Sequence, residues 1–267
     1  MNVIALSTLD LSLAAGLVLL LALFSFRFRL NIEKQLLTAA ARTVVQLLLI
    51  GLVLKFLFES INPWLIALLA TIMLMAAGRE VLARQHRTFA GGWGFGISVL
   101  SMFVSSFAVT ILALIIVIQP EPWYTPQYAI PLLGMLLGNT MSGIALGLDR
   151  LTQSAWEQRR VIEARLMLGE TWSQAISQIR YNSMRVGMIP MINAMAAAGI
   201  VSLPGMMTGQ ILAGSPPVEA VKYQILVMFL ITAGTGFGTM TAIWLAAKHL
   251  FDDRERLRVE RLVKTKS

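Results

Sequence analysis

Apolar residues along the chain gather in blocks of about 20, separated by short polar stretches, and a block of that length crosses a bilayer core as a helix. Seven such blocks are predicted as spans, at about 9–26, 36–58, 64–83, 96–118, 129–148, 187–213 and 223–247. The expected fold is therefore all-α: one polytopic membrane domain over residues 1–267, without a soluble domain or an internal repeat. The first block has no basic residue before it and no small-x-small cleavage signal after it, so it is expected to be a span rather than a cleaved leader. The block 187–213 is the least regular, with Pro190 near one end and Leu203, Pro204 and Gly205 interrupting it. Non-helical backbone at membrane depth survives only where protein or a water-filled cavity covers it. That break is expected either to line a path or to pack against neighbouring helices.

Composition agrees with the pattern. Hydrophobic residues make up 57% of the chain and charged residues only 13%, about half the share usual in a soluble domain. The net charge of +8 sits between apolar blocks rather than on one surface, which argues against nucleic acid as a partner. All but three of the 22 Lys and Arg residues fall in connections on one side of the seven-span arrangement, the exceptions being Arg42, Lys55 and Lys222. By the positive-inside rule the N-terminus is expected outside and the C-terminus in the cytoplasm, in the cell inner (plasma) membrane. The opposite connections carry Asp10, Glu59, Glu121 and Glu219, with Trp64, Trp123, Tyr124, Tyr128 and Tyr223 near the span ends. Pro120, Pro122, Pro126 and Pro131 make one of those connections a stiff turn. Cysteine is absent, so thiolate ligands and thiol catalysis are excluded.

The longest polar stretch, 149–185, reads as a helix-turn-helix. Ser154 and Glu157 have capping-box spacing, as have Thr171 and Gln174. The first helix would carry Val161, Ile162, Leu166 and Leu168 and stop at Gly169. The second would present Trp172, Ala175, Ile176 and Ile179 on one face. A mixed apolar and basic hairpin of this kind either rests on anionic headgroups or docks on a cytoplasmic partner. The tight glycine break and the acidic Glu163 and Glu170 beside Arg165 favour docking through Glu163, Arg165, Leu166, Leu168, Gly169 and Glu170.

The run from Glu163 to Gly169 resembles the start of the coupling motif of ABC-transporter permeases. More of the chain is similar to the FetB-like iron-export permease family, whose plant relatives are associated with aluminium tolerance. The blocks that carry the resemblance are Leu166 to Thr171, Ile189 to Asn193, Gly199 to Gly209, Ala220 to Gln224 and Ile130 to Asn139. Glu170 departs from the alanine common at that position in the family. The resemblance implies a permease subunit, not itself an enzyme, paired with a separate soluble ABC ATPase that binds the ATP. It also implies export of iron or another metal, while the plant relatives bring in a nucleotide sugar as an alternative cargo.

No Gly-x4-Gly-Lys-Ser/Thr loop occurs, so hydrolysis, if used, belongs to another subunit and this chain needs no cofactor of its own. A secondary transporter would place carboxylates or His at membrane depth, yet all 14 carboxylates and both His fall at span ends or in connections. Ser101, Ser105 and Ser106 have no intramembrane base to activate them as nucleophiles. Seven spans are few for a pore, so a homodimer is expected. Met184, Met188, Met191 and Met195 form one helical stripe, followed by Met206 and Met207; this is either ordinary packing or a soft-metal surface. Asn139, Asn193 and Gln210 are candidate oxygen donors along a path. Arg42, one turn from Gln46, either snorkels to the interface or neutralises an anionic cargo.

Overall fold

The computed structural model describes residues 7–60 and 62–265; Lys266, counted above among the basic residues, lies outside them. Six helices are long and apolar enough to cross a membrane. The first, α1 (Thr8–Arg27), starts on a capping box in which Ser7 and Asp10 bond each other's backbone N–H. It turns tightly into α2 (Glu33–Ser60). Asn62 caps α3 (Pro63–Ala83) by accepting from the Trp64 N–H at 2.9 Å.

The fourth span is a composite. Helix α4 (Trp93–Met102) passes through a π-helical stretch, Phe103–Phe107, into α5 (Ala108–Leu112), and a second π stretch follows at Ala113–Ile118. Buried hydroxyls accompany the loosened winding: Ser105 donates to the Ser101 carbonyl at 2.8 Å and Thr110 to the Ser106 carbonyl at 2.7 Å. Such back-bonding competes with the helical ladder and bends it.

After the proline-rich turn, α6 (Pro126–Glu157) and α11 (Pro217–His249) form the central pair, and α9 (Ser177–Ala197) packs against both. Helices α3 and α4 flank them, whereas the α1–α2 hairpin lies at the periphery with Leu57 the only buried residue of α2 among those described. The central contact depends on missing side chains. A Cβ on Gly187 of α9 would stand 2.6 Å from the Gly143 carbonyl of α6, closer than real Cβ atoms come. Small residues here let backbones approach, the usual route to helix association in lipid.

Two expectations are corrected. The predicted span 187–213 is not one helix. Helix α9 begins ten residues earlier, ends at Ala197, and gives way to the irregular segment 198–204 before the short α10 (Gly205–Leu212). Gly199 at φ +81° and Pro204 account for the break. Seven continuous spans therefore become six, plus this broken element. Second, Ser154 caps nothing: it is buried inside α6, which runs on to Glu157 because Leu151, Thr152 and Ala155 continue its buried face. The basic C-terminal stretch is folded. Its strand β2 (Leu262–Lys264) pairs antiparallel with β1 (Arg87–Phe89), from the α3–α4 connection. The end of the bundle that carries these strands is called the tail end below, and the other the proline-rich end.

Candidate functional site

The helix α7 (Arg159–Met167) projects at the tail end, with Ile162 buried against the main core. It stops in a double-bonded glycine cap. The Glu170 N–H donates to the Arg165 carbonyl at 3.2 Å and the Gly169 N–H to that of Leu166 at 3.0 Å, while Gly169 takes φ +90°. A left-handed glycine there satisfies the helix's last carbonyls. The cap leaves Met167 and Leu168 at the tip, 82% and 85% exposed. Lone surface leucines are unremarkable, but two adjacent large apolar residues on a rigid tip form a contact point.

The next element is held from two directions. The Gln174 carboxamide oxygen accepts from the N–H and the hydroxyl of Thr171 at 2.9 and 3.0 Å, the second capping box expected from the sequence. This opens the one-turn helix α8 (Trp172–Ala175), which leads into α9. Its expected apolar face is real but inward: Ala175, Ile176 and Ile179 belong to the chain's own core, and Trp172 packs against it. Of the large apolar residues from α7 through α8, Val161, Met167 and Leu168 are the ones left exposed among the described residues.

The tail forms the other wall. Asp252 accepts from the backbone N–H groups of Arg254 and Arg256 at 3.0 and 2.9 Å and from the Arg256 guanidinium at 2.8 Å. The bond from the Arg256 backbone leads in holding its carboxyl down at about 2, with the other bonds and the Arg256 charge adding to it. Arg261 donates to the His249 carbonyl at 2.6 Å, and the His249 ring stacks on Trp93 with centroids 4.4 Å apart. His86, in the connection between α3 and α4, bonds Asp149 at 3.1 Å through Nδ1. A groove of about 510 Å³ lies between the tail and α7, lined by Glu163, Leu166, Glu170, Arg254 and Arg256 among others. Arg165 is half-buried beside it.

The path candidates separate. Met184 packs on the main core and Met191 is buried in a second cluster, both as ordinary packing. The Met188 methyl lies over Gly236. Met206 and Gln210 border a cavity of about 290 Å³ with Tyr128 and Tyr223. Met195 and Met207 border another, of about 520 Å³, that Met228 and Gln224 also line. Asn139 turns back to its own helix, donating to the Met135 carbonyl at 2.8 Å, and Asn193 is exposed on α9. Among the described residues, His, Asp and Glu gather nowhere in a group of three that could hold a metal ion.

Arg42 and Gln46 line a groove of about 410 Å³ between α2, α3 and α6. Arg42 is not alone there, since Glu80 of α3 lies 3.7 Å away and also faces Arg84 at 3.8 Å. The sequence pattern left Glu80 at a span end without a partner. Its three-dimensional neighbour was hidden because Arg42 enters the membrane from the opposite direction, on a separate helix.

Residues 8–251 match the family described as "Uncharacterised protein family (UPF0014)". The chain belongs to the UPF0014 family. It is 41% identical to a UPF0014 membrane protein of Synechocystis sp. over 86% of this chain and 88% of that one. It is 31% identical to the probable iron export permease protein FetB of Escherichia coli, over 96% of each. It is 31% identical to the protein ALUMINUM SENSITIVE 3 of Arabidopsis thaliana, over 89% of this chain and 85% of that one. No solved structure gives a significant match. With its six apolar helices, this UPF0014 chain is a multi-pass membrane protein.

Proposed function

We propose that this chain is the membrane-spanning permease subunit of an exporter, driven by a separate soluble ATPase that docks at the tail end. The observation that carries the reading is the α7 tip: Met167 and Leu168 stand free on a glycine-capped helix, beside a charged groove walled by the tail. An apolar knob ringed by charge is suited to a partner's pocket, with the charges setting register. The one-sided distribution of Lys and Arg supports a cytoplasmic position for this end, where such an ATPase would be found. A metal ion is the cargo favoured, because one full-length relative is named for iron export. The pairing of Arg42 with Glu80 supports a structural role for that arginine over recognition of an anion. A homodimer would supply the second half of the pathway.

The test is co-purification in detergent with a P-loop ATPase. The wild type should retain it, and Leu168→Asp should lose it, since a carboxylate in an apolar pocket weakens binding by roughly a thousandfold. Val161→Asp, on an exposed face at the other end of α7, should retain it. If Leu168→Asp binds as well as the wild type, the tip is not the docking point.

A further inference from the structure

The cavity beside the broken helix gathers sulfur donors and a carboxamide. Three thioethers reach its wall from three different elements: Met195 from α9, Met207 from α10 and Met228 from α11. Gln224 joins them one turn from Met228. Methionine is an ordinary gap filler in packed helices, and Met184 and Met191 serve that way. Met195 and Met228 also pack against the cluster that holds Met191, but with Met207 they border a cavity of about 520 Å³ as well.

One further observation points to a ligand. Gln224 is 8% exposed, yet its carboxamide oxygen has no hydrogen-bond partner. Buried polar atoms are nearly always satisfied, and an orphan on a cavity wall asks what completes it. The Thr232 hydroxyl fixes the cavity's edge, since it faces both the Met195 sulfur at 2.9 Å and the Met228 carbonyl at 2.7 Å and so ties α9 to α11.

Every one of these donors is neutral, and no carboxylate lines the cavity. A neutral thioether cage in a low-dielectric setting compensates a single soft charge far better than a hard divalent or trivalent ion. We infer that the cavity between α9, α10 and α11 binds a soft monovalent cation of the Cu(I) or Ag(I) class, through Met195, Met207 and Met228 with Gln224 as the oxygen donor. The segment 198–204 forms part of its wall through Gly199 and Pro204, so a change at the break would reshape the site. The inference deepens the metal-permease reading, but the two can fail separately, because binding is measured with no ATPase present.

Ag(I) is titrated into the purified chain in detergent by calorimetry, and Cu(I) by competition with a chromophoric chelator. The wild type should take up one ion per chain. The combined variant Met195→Leu, Met207→Leu and Met228→Leu, which keeps the apolar volume, should bind at least about tenfold more weakly. The pair Met184→Leu and Met191→Leu should bind as the wild type does. Should the triple variant fail to fold, as judged by its melting curve, Met207→Leu alone is compared with the same control and should show a weaker form of the loss. Absence of Ag(I) and Cu(I) binding by the wild type overturns the site, as does an equal loss in cavity and control variants. Fe(II) held as tightly as Ag(I) overturns the assignment to a soft monovalent ion. Loss of ATPase co-purification with Ag(I) binding intact would sink the exporter reading and leave this site standing.

Discussion

The carboxylate of Glu255, in the tail, accepts a hydrogen bond at 3.0 Å from the backbone N–H of Trp172, in the first turn of α8. A residue 83 positions away in sequence thus occupies the end of a helix that would otherwise leave an amide unpaired. Glu255→Ala should cost about 0.5–2 kcal/mol, the range for losing a side-chain cap. Hydrogen exchange should quicken at both 171–176 and 250–264, since each segment braces the other. Unchanged exchange in either segment would show that the two are not coupled through this bond.

A second device in the tail sets its acid limit. Asp252 is held at about 2, below the ordinary aspartate value of 3.8. A depressed folded-state pKa contributes stability that is fully present above the unfolded value and is lost as pH falls through the folded one. The strand pairing of 262–264 should therefore survive at pH 5 and fail only as the pH falls from about 4 toward 2. Asp252→Asn should loosen the tail at neutral pH. Limited proteolysis across the pH range checks both expectations, and a tail in Asp252→Asn as resistant as in the wild type would refute them.

The Arg42–Glu80 contact gives a test of cargo. As a structural pair with an exposed arginine, it should show a coupling of only about 0.2–1 kcal/mol in a double-mutant cycle of Arg42→Gln and Glu80→Gln. Arg42→Gln should then spare ATP-dependent metal efflux in proteoliposomes that contain the ATPase. If the wild type moves a sugar nucleotide but no metal, and the variant moves neither, the cargo is an anion and Arg42 its recognition residue.

Gly187→Ala should destabilise the protein by about 1–3 kcal/mol, because its new methyl meets the backbone carbonyl of Gly143 rather than a flexible side chain. Gly96→Ala, where a Cβ meets nothing within 4 Å, should be neutral or slightly stabilising. Melting temperatures in detergent compare the two, and an equal effect at both sites would mean that the α6–α9 crossing is looser than drawn.

Hydropathy and periodicity made the membrane architecture legible where a segment's fate depends on its own residues. The first four spans, the stop at Gly169 and the Thr171–Gln174 cap are local properties, and they appear close to where the sequence places them. The departures arise where distant contacts decide. Ser154 and Glu157 have the spacing of a cap, but the packing of α6 against its neighbours extends the helix through both. The basic tail carries no apolar period to announce a fold, and contacts such as β1, the Glu255–Trp172 bond and the bonds of Asp252 and Arg261 order it. Of the methionine stripe, three members pack as a helical face would, and only Met195 reaches the large cavity. The partners it meets there, Met228 and Gln224, lie on a helix whose sequence offers no signal beyond hydropathy.

Helix α6 runs unbroken from Pro126 to Glu157, with Pro131 its only internal proline, and that one in the second turn. Its 32 residues make a rod about 48 Å long. A cap at Ser154 would have shortened it by about a turn. As built, the joint between the rod and the projecting tip lies at Gln158, outside the bundle's main crossing, and everything from there to the proline-rich turn is one continuous helix. For a rod of that length a tilt of about 5° about the tail end corresponds to a sideways displacement of about 4 Å at the other.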